Sequence, residues 1–86
     1  MSGSVGVPAR VALYTRHGCH LCEEARAELE RARAREPFEL EIVDVDGDPA
    51  LREQFNDEVP VVFINGRKAF KYRVDARELA RRLRSW

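Results

Sequence analysis

Residues 13–25, LYTRHGCHLCEEA, contain both cysteines of this 86-residue chain. Cys19 and Cys22 lie three positions apart, and His17 and His20 are beside them. A cluster of this kind can be a thiol pair that exchanges electrons, half of a zinc site, or a structural disulfide. The sequence on either side of the cluster favours the first of these.

The stretch predicts a junction between a strand and a helix. Residues 11–14 form a short apolar run typical of a buried strand, and the turn follows at His17-Gly18. Apolar side chains then recur at helical spacing, at Leu21, Ala25, Leu29 and Ala32. The spacing predicts a helix from Cys19 or His20 to Arg35, because Pro37 prevents it from continuing.

The middle of the chain predicts a second strand and a short helix. Residues 38–46 alternate apolar and acidic side chains, and the alternation is lost at Ile42-Val43. We therefore expect a strand whose second half is covered on both faces. Asp48 followed by Pro49 is a strong helix start, and the helix should end near Phe55.

The last part of the chain predicts a β-hairpin and a third helix. The runs VVFI and RKAFKY flank Asn65-Gly66, which is typical of a tight hairpin turn. Asp75 with Glu78 three positions later resembles a capping box, and Leu79, Ala80 and Leu83 form the stripe that the last helix should bury.

The predicted order is β-α-β-α-β-β-α, an α/β fold with a four-stranded mixed sheet flanked by helices. The first strand, helix and second strand form a right-handed parallel unit, and the hairpin adds antiparallel strands. A chain of 86 residues is one domain. We assign residues 10–86 to that domain and residues 1–9 to a flexible N-terminal lead-in.

The amino-acid composition disfavours some classes of function. Fifteen Lys and Arg balance fifteen Asp and Glu, so the net charge is zero. That balance disfavours nucleic acid and anionic membranes as partners. The sequence has no apolar run of ~20 residues and no secretory signal pattern at its start. We therefore expect a monomer in the reducing cytoplasm, where paired cysteines serve catalysis, redox sensing or metal binding more often than permanent cross-linking.

The predicted position of Cys19 has chemical consequences. The first turn of a helix offers unpaired N–H groups and the positive end of the helix dipole, which favour a thiolate and lower a cysteine pKa. Arg16, His17 and His20 would add to this effect when near enough. Cys22 lies about one turn later, on the same face and deeper. We expect Cys19 to attack a substrate disulfide and Cys22 to resolve the mixed disulfide.

Metal binding is the alternative. A structural zinc site needs four ligands, and neighbouring residues such as Cys19 and His20 point in different directions on a helix. The number of available ligands does not exclude a site with three protein ligands. It also does not exclude a zinc, copper or iron–sulfur site that is shared between two chains. No metal is expected within one chain, and a purely structural disulfide is disfavoured because so short a loop stabilises little.

Two separated motifs, Cys19-x-x-Cys22 and Val59-Pro60, resemble those of the glutaredoxin-like branch of the thioredoxin fold, over residues 10–83. The resemblance implies a dithiol–disulfide oxidoreductase with roles in electron transport and cell redox homeostasis. It also implies a cis Val59–Pro60 bond that faces the cysteines. The backbone of Val59 would then pair with an extended substrate. Arg16 matches a basic residue that helps to bind a glutathione carboxylate in glutaredoxins.

The chain departs from the glutaredoxin pattern at two places. Glu58 replaces the usual Thr before Val-Pro, and no glycine follows Gly66, so residues 70–73 occupy the place of a glycine-rich cradle. We therefore expect no tightly bound glutathione and no other cofactor. The expected partners are a disulfide-bearing protein or small-thiol substrate and a reductant, either glutathione or a thioredoxin-type reductase.

Overall fold

The computed structural model describes residues 8–86 and confirms the predicted order of elements. A one-turn 3-10 helix at Val45–Gly47, which the sequence pattern did not predict, precedes the second α-helix. The strands and helices are β1 (Arg10–Thr15), α1 (His20–Arg35), β2 (Glu39–Asp44), α2 (Pro49–Phe55), β3 (Val61–Ile64), β4 (Arg67–Lys71) and α3 (Ala76–Ser85).

The four strands form one mixed sheet in the order β2-β1-β3-β4. β1 runs parallel to β2 with Thr15 opposite Asp44, and antiparallel to β3 with Tyr14 opposite Val61. β4 pairs antiparallel with β3 and places Lys71 opposite Val61. The carboxyl ends of β1, β2 and β4 therefore meet the start of β3 at one edge of the sheet, which we call the site edge.

α1 begins at this edge and covers one face of the sheet. Its buried side chains are Cys22, Ala25, Leu29 and Ala32. Ala25, Leu29 and Ala32 pack with Leu13, Ile64 and Leu79 in one cluster, in which each fully buried leucine contributes about 1.5–3 kcal/mol. Leu21, the first position of the predicted stripe, is half-buried, whereas Cys22 beside it is only 2% exposed.

β2 is an outer strand of the sheet, and the expectation that its second half is covered on both faces is therefore wrong. Its second half is not covered on both faces, since Ile42 is 37% exposed. The break in alternation at Ile42-Val43 instead marks the approach to the 3-10 helix, where Val45 is fully buried. The pattern alone does not tell an edge strand from a central one.

α2 covers part of the opposite face. Asp48 caps it by accepting the Ala50 N–H at 2.9 Å, with Pro49 at the first position, as predicted. Phe55 packs with Val45 and Val61 on the site-edge half of this face. A cavity of about 920 Å³, lined in part by residues of β1 and β2, remains open on the same sheet.

The hairpin and the last helix follow the predicted turn and cap. Asn65 and Gly66 adopt φ of 52° and 83°, the geometry of a primed hairpin turn. Asp75 caps α3 by accepting the Glu78 N–H at 3.0 Å. The capping box is only half formed, because the Glu78 carboxylate pairs with Arg81 and Arg82.

Most of the predicted lead-in, residues 1–9, lies outside the described residues, so its flexibility stays a prediction. No helix within residues 8–86 is both long and apolar enough to cross a membrane.

Candidate functional site

The two cysteines form a disulfide at the N-terminus of α1. Their Cα atoms are 5.2 Å apart, and the Cys19 sulfur accepts the backbone N–H of Cys22 at 3.1 Å. Cys19 is half-buried, whereas Cys22 is only 2% exposed. A substrate can therefore reach the sulfur of Cys19, while Cys22 lies behind it in the core.

Gly18 sets the direction of the chain as it enters the helix. Its φ is +76°, in the left-handed region that side chains disfavour, and no atom of a non-adjacent described residue lies within 4 Å of the place where a Cβ would stand. The glycine is needed for backbone conformation rather than for space.

Arg16 has its partners within the chain. Its Nε and Nη2 donate to the two carboxylate oxygens of Asp46 at 2.9 and 3.1 Å. Its Nη1 and Nη2 donate to the backbone and side-chain oxygens of Asn56 at 3.1 and 3.0 Å. These contacts use four of the five N–H groups of a guanidinium. Binding of a substrate carboxylate by Arg16 stays a prediction.

Arg16, Asp46 and Asn56 make up what we call the β2 flank of the site edge. The hydrogen bond between Arg16 and Asp46 is the main cause that raises the pKa of the guanidinium and lowers the pKa of the carboxyl. Their mutual charge attraction acts in the same direction, and partial desolvation opposes it. The flank ties the loop before Cys19 to the 3-10 helix and to the end of α2.

The two histidines are both exposed. His17 lines a cavity of about 240 Å³ together with both cysteines and Ile42. His20 places its Nε2 2.9 Å from a carboxylate oxygen of Glu24, one turn along α1. Their influence on the Cys19 thiolate stays a prediction.

The Val59–Pro60 peptide bond is cis, as the resemblance implied. It immediately precedes Val61, which lies opposite Tyr14 near the end of β1, so it stands at the same edge as the loop that carries Cys19. Pro60 is buried, and its carbonyl oxygen accepts the N–H of Tyr72 at 2.8 Å. Pairing of the Val59 backbone with a substrate stays a prediction.

Glu58, one of the departures from the glutaredoxin pattern, is paired with a cation. Its carboxylate accepts from Lys68 Nζ at 2.9 Å. This hydrogen bond is the main cause that lowers the pKa of Glu58, and the charges of Lys68 and Lys71 add to it, against partial desolvation. The negative charge of Glu58 is thus largely balanced within the chain.

Lys71, Tyr72 and Arg73 make up the β4 flank, on the other side of the site edge. All three are exposed, and Tyr72 has a φ of +72°. Lys71 Nζ lies 5.2 Å from the centre of the Tyr72 ring. Tyr72 and Val74 line a cavity of about 130 Å³ together with Leu21, a residue between the two cysteines.

Sequence reasoning missed Asp46, Asn56 and the conformation of Tyr72. Asp46 could have been found, because Arg16 and Asp46 each come shortly after the end of one of two parallel neighbouring strands, and such ends meet. Nothing in the sequence marks Asn56 as a partner of Arg16, or Tyr72 as left-handed. Within residues 8–86, no three His, Cys, Asp or Glu side chains group in a way that could hold a metal ion.

Comparison with known proteins identifies the family. Residues 10–84 match the glutaredoxin-like domain (DUF836). The chain belongs to this glutaredoxin-like family. An uncharacterized protein of Mycobacterium tuberculosis is 35% identical to this glutaredoxin-like domain in an alignment of 75 residues that covers 81% of this chain and 77% of the relative. A protein of Mycobacterium bovis gives the same values.

Solved structures agree with the fold. The solution NMR structure of a Nitrosomonas europaea protein has a TM-score of 0.80 at 35% identity and covers 96% of this chain and 99% of its own. An X-ray structure from X. campestris has a TM-score of 0.75 at 34% identity, covering 88% and 97%. Thioredoxin-2 of a malaria parasite, at 16% identity and a TM-score of 0.71 over 92% and 84%, shows that the glutaredoxin-like domain has the thioredoxin fold.

Proposed function

We propose that this glutaredoxin-like domain is a dithiol–disulfide oxidoreductase in which Cys19 attacks and Cys22 resolves. The observation that carries the proposal is the unequal burial of one disulfide: Cys19 is half-buried at the helix start, and Cys22 is 2% exposed behind it. The family and its fold support a redox role for such a pair.

The reaction transfers two electrons. The Cys19 thiolate attacks one sulfur of the substrate disulfide, forms a mixed disulfide and releases the other sulfur as a thiolate. The Cys22 thiolate then attacks the Cys19 sulfur, which breaks the mixed disulfide and frees the second substrate thiol. The domain is left with its Cys19–Cys22 disulfide, and an external thiol reductant restores the dithiol.

The residues near the disulfide have supporting roles in this proposal. The N–H of Cys22 donates to the Cys19 sulfur at 3.1 Å and would stabilise a thiolate there. Val59, beside the cis Pro60, would offer its backbone to an extended substrate. His17 and His20 would lower the Cys19 pKa when protonated.

The reductant, substrate and compartment that we propose are those expected from the sequence. The reductant would be glutathione or a thioredoxin-type reductase, without tight binding of glutathione as a cofactor. The domain would act as a monomer in the cytoplasm, on a disulfide-bearing protein or a small thiol, within electron transport and cell redox homeostasis.

The experiment compares the two cysteine-to-serine variants after reduction. Cys22→Ser should react once with a disulfide probe and accumulate a mixed disulfide at Cys19, detected by mass spectrometry, because the resolving thiol is gone. Cys19→Ser should lose the reaction by more than about a hundredfold, since Cys22 is buried. Equal reaction rates of the two variants would contradict the assigned roles.

Metal analysis tests the alternative on the same proteins. Purification under reducing conditions should yield less than stoichiometric zinc, copper and iron. Stoichiometric metal that is lost in Cys22→Ser would instead favour a metal-binding module.

A further inference from the structure

The cations of the β4 flank are not matched by ion pairs in the part of the chain that the structure describes. Of the three acidic side chains near this flank, Glu28 pairs with Arg31 and Glu58 pairs with Lys68. The carboxylate of Glu24 lies 2.9 Å from Nε2 of His20, which balances its charge only when the imidazole is protonated. Neither Lys71 nor Arg73 has such a partner among residues 8–86, and both are exposed. The flank therefore presents two exposed cations that form no ion pair within residues 8–86, although the charge of Lys71 also acts on Glu58 and the sequence as a whole is neutral.

Tyr72 stands between these cations in a conformation that its own side chain disfavours. An aromatic residue at a φ of +72° is unusual, and a left-handed residue costs about 1–2 kcal/mol. Residues held in this way are concentrated at functional sites. The N–H of Tyr72 donates to the carbonyl oxygen of Pro60 at 2.8 Å, which fixes the backbone while the residue stays 42% exposed.

The Tyr72 ring lies beside the cysteine motif. Leu21, between the two cysteines, shares with Tyr72 and Val74 the cavity of about 130 Å³. This volume is below the ~300 Å³ at which pockets for whole small molecules begin, but it has room for one side chain of a longer chain.

We propose that Lys71, Tyr72 and Arg73 recognise the polypeptide next to the disulfide of a protein substrate, and that this polypeptide carries acidic residues beside its cysteine. This inference deepens the proposed function and rests on it. The two cations attract the acidic residues, and the Tyr72 ring contacts the chain and keeps it beside Leu21.

The test is a single reaction of the pre-reduced, full-length protein, so that no reductase is needed. The probes are three ten-residue peptides, each with one cysteine joined to 2-thiopyridine as a mixed disulfide and flanked on both sides by Glu, Gln or Lys. The Cys19 thiolate attacks the peptide sulfur, the bond to the pyridyl sulfur breaks, and pyridine-2-thione is released and measured by absorbance. Cys22 then releases the peptide thiol.

The Glu peptide should react about tenfold faster than the Lys peptide at low ionic strength, and added salt should reduce the difference. In Lys71→Gln/Arg73→Gln, the three peptides should react at nearly equal rates. Arg35→Gln/Arg84→Gln, which removes two charges from a cavity lined by α1 and α3 away from the cysteines, should keep the wild-type order of rates.

Tyr72 is tested with variants that separate the ring from the backbone. Tyr72→Gly and Tyr72→Asn tolerate a positive φ but lack the ring, and both should lose about fivefold in rate with the Glu peptide. Neither should lose rate with the 2-pyridyl disulfide of N-acetylcysteine amide. Tyr72→Phe, which keeps the ring, should behave as the wild type with both probes.

The outcomes separate the two proposals. No reaction of wild-type protein with any probe, including N-acetylcysteine amide, would overturn the proposed function. Reaction with that small probe, together with equal rates for the three peptides, would overturn this inference alone. The 2-pyridyl disulfide of glutathione is a further probe. If it reacts as fast as the Glu peptide and its rate falls equally in the double variant, the ligand is a small anionic thiol and the polypeptide of this inference is overturned.

Discussion

The two flanks of the disulfide differ in how their charges are used. On the β2 flank, Arg16 donates four hydrogen bonds to Asp46 and Asn56 and holds the loop before Cys19. On the β4 flank, Lys71 and Arg73 form no ion pair within residues 8–86 and stand beside an exposed aromatic ring. The same kind of charge therefore serves structure on one side and, in our proposal, is available to a substrate on the other.

The largest expected effect on stability comes from removing the cation of the β2 flank, and removing a cation of the β4 flank is the comparison. Arg16→Gln should lower Tm by several degrees, because it breaks charge-assisted hydrogen bonds and leaves Asp46 with only Arg52, 3.9 Å away. Lys71→Gln should leave Tm within about one degree, since a surface charge without a partner contributes little. Thermal unfolding followed by circular dichroism measures both, and equal shifts would remove the distinction between the flanks.

Substitution of Gly18 tests how much the backbone conformation of the loop before Cys19, which the β2 flank holds, matters for stability. Gly18→Ala should reduce the free energy of unfolding by about 1–2 kcal/mol, because alanine is strained at a φ of +76°. Gly47→Ala is the matched control, since neither the φ of Gly47 nor the space around it disfavours a side chain. Urea unfolding measures both variants, and a similar loss in the control would mean that the effect is not specific to the positive φ.

Substitution of Tyr72 on the β4 flank should change the free energy of unfolding in the opposite direction. Tyr72→Gly should raise the free energy of unfolding by about 0.5–1 kcal/mol, because the strain at a φ of +72° is relieved and exceeds the entropy cost of a glycine. The same urea titration measures it. A loss of stability would show that the ring is a structural element rather than a part kept for binding.

Acid should weaken the β2 flank through the carboxyl of Asp46. The hydrogen bond from Arg16 lowers the pKa of Asp46 below its ordinary 3.8. The stabilisation is therefore fully present above that pH and is lost as pH falls below it through the folded-state value. Asp46→Asn should show a smaller fall in Tm between pH 5 and pH 3 than the wild type, by a few degrees at most.

The matched control for the acid measurement is Arg73→Gln on the β4 flank. This variant should keep the wild-type acid dependence, because Arg73 is not among the charges that lower the pKa of Asp46. An unchanged acid dependence in Asp46→Asn would show that the Arg16–Asp46 pair adds no stability.

Local chemistry made much of the fold predictable. Asp48-Pro49, Asn65-Gly66 and Asp75 each act within a few residues, and each element that they predicted is present in the structure. The exposure of Ile42 was not predictable, because it depends on β2 lying at the edge of the sheet. Edge and central strands differ in their neighbours, which a local pattern does not contain.

For the candidate site, the sequence by itself determined the cysteine pair, its position at a helix start and the Val59-Pro60 pair, because spacing and capping are local properties. Only the tertiary structure decided the partners of Arg16, which lie 30 and 40 positions away. It also decided the left-handed Tyr72, whose N–H is held by Pro60. The physical reason is that ion pairing and backbone strain at the site edge depend on which strand ends meet there, and strand pairing sets that over long distances in the chain.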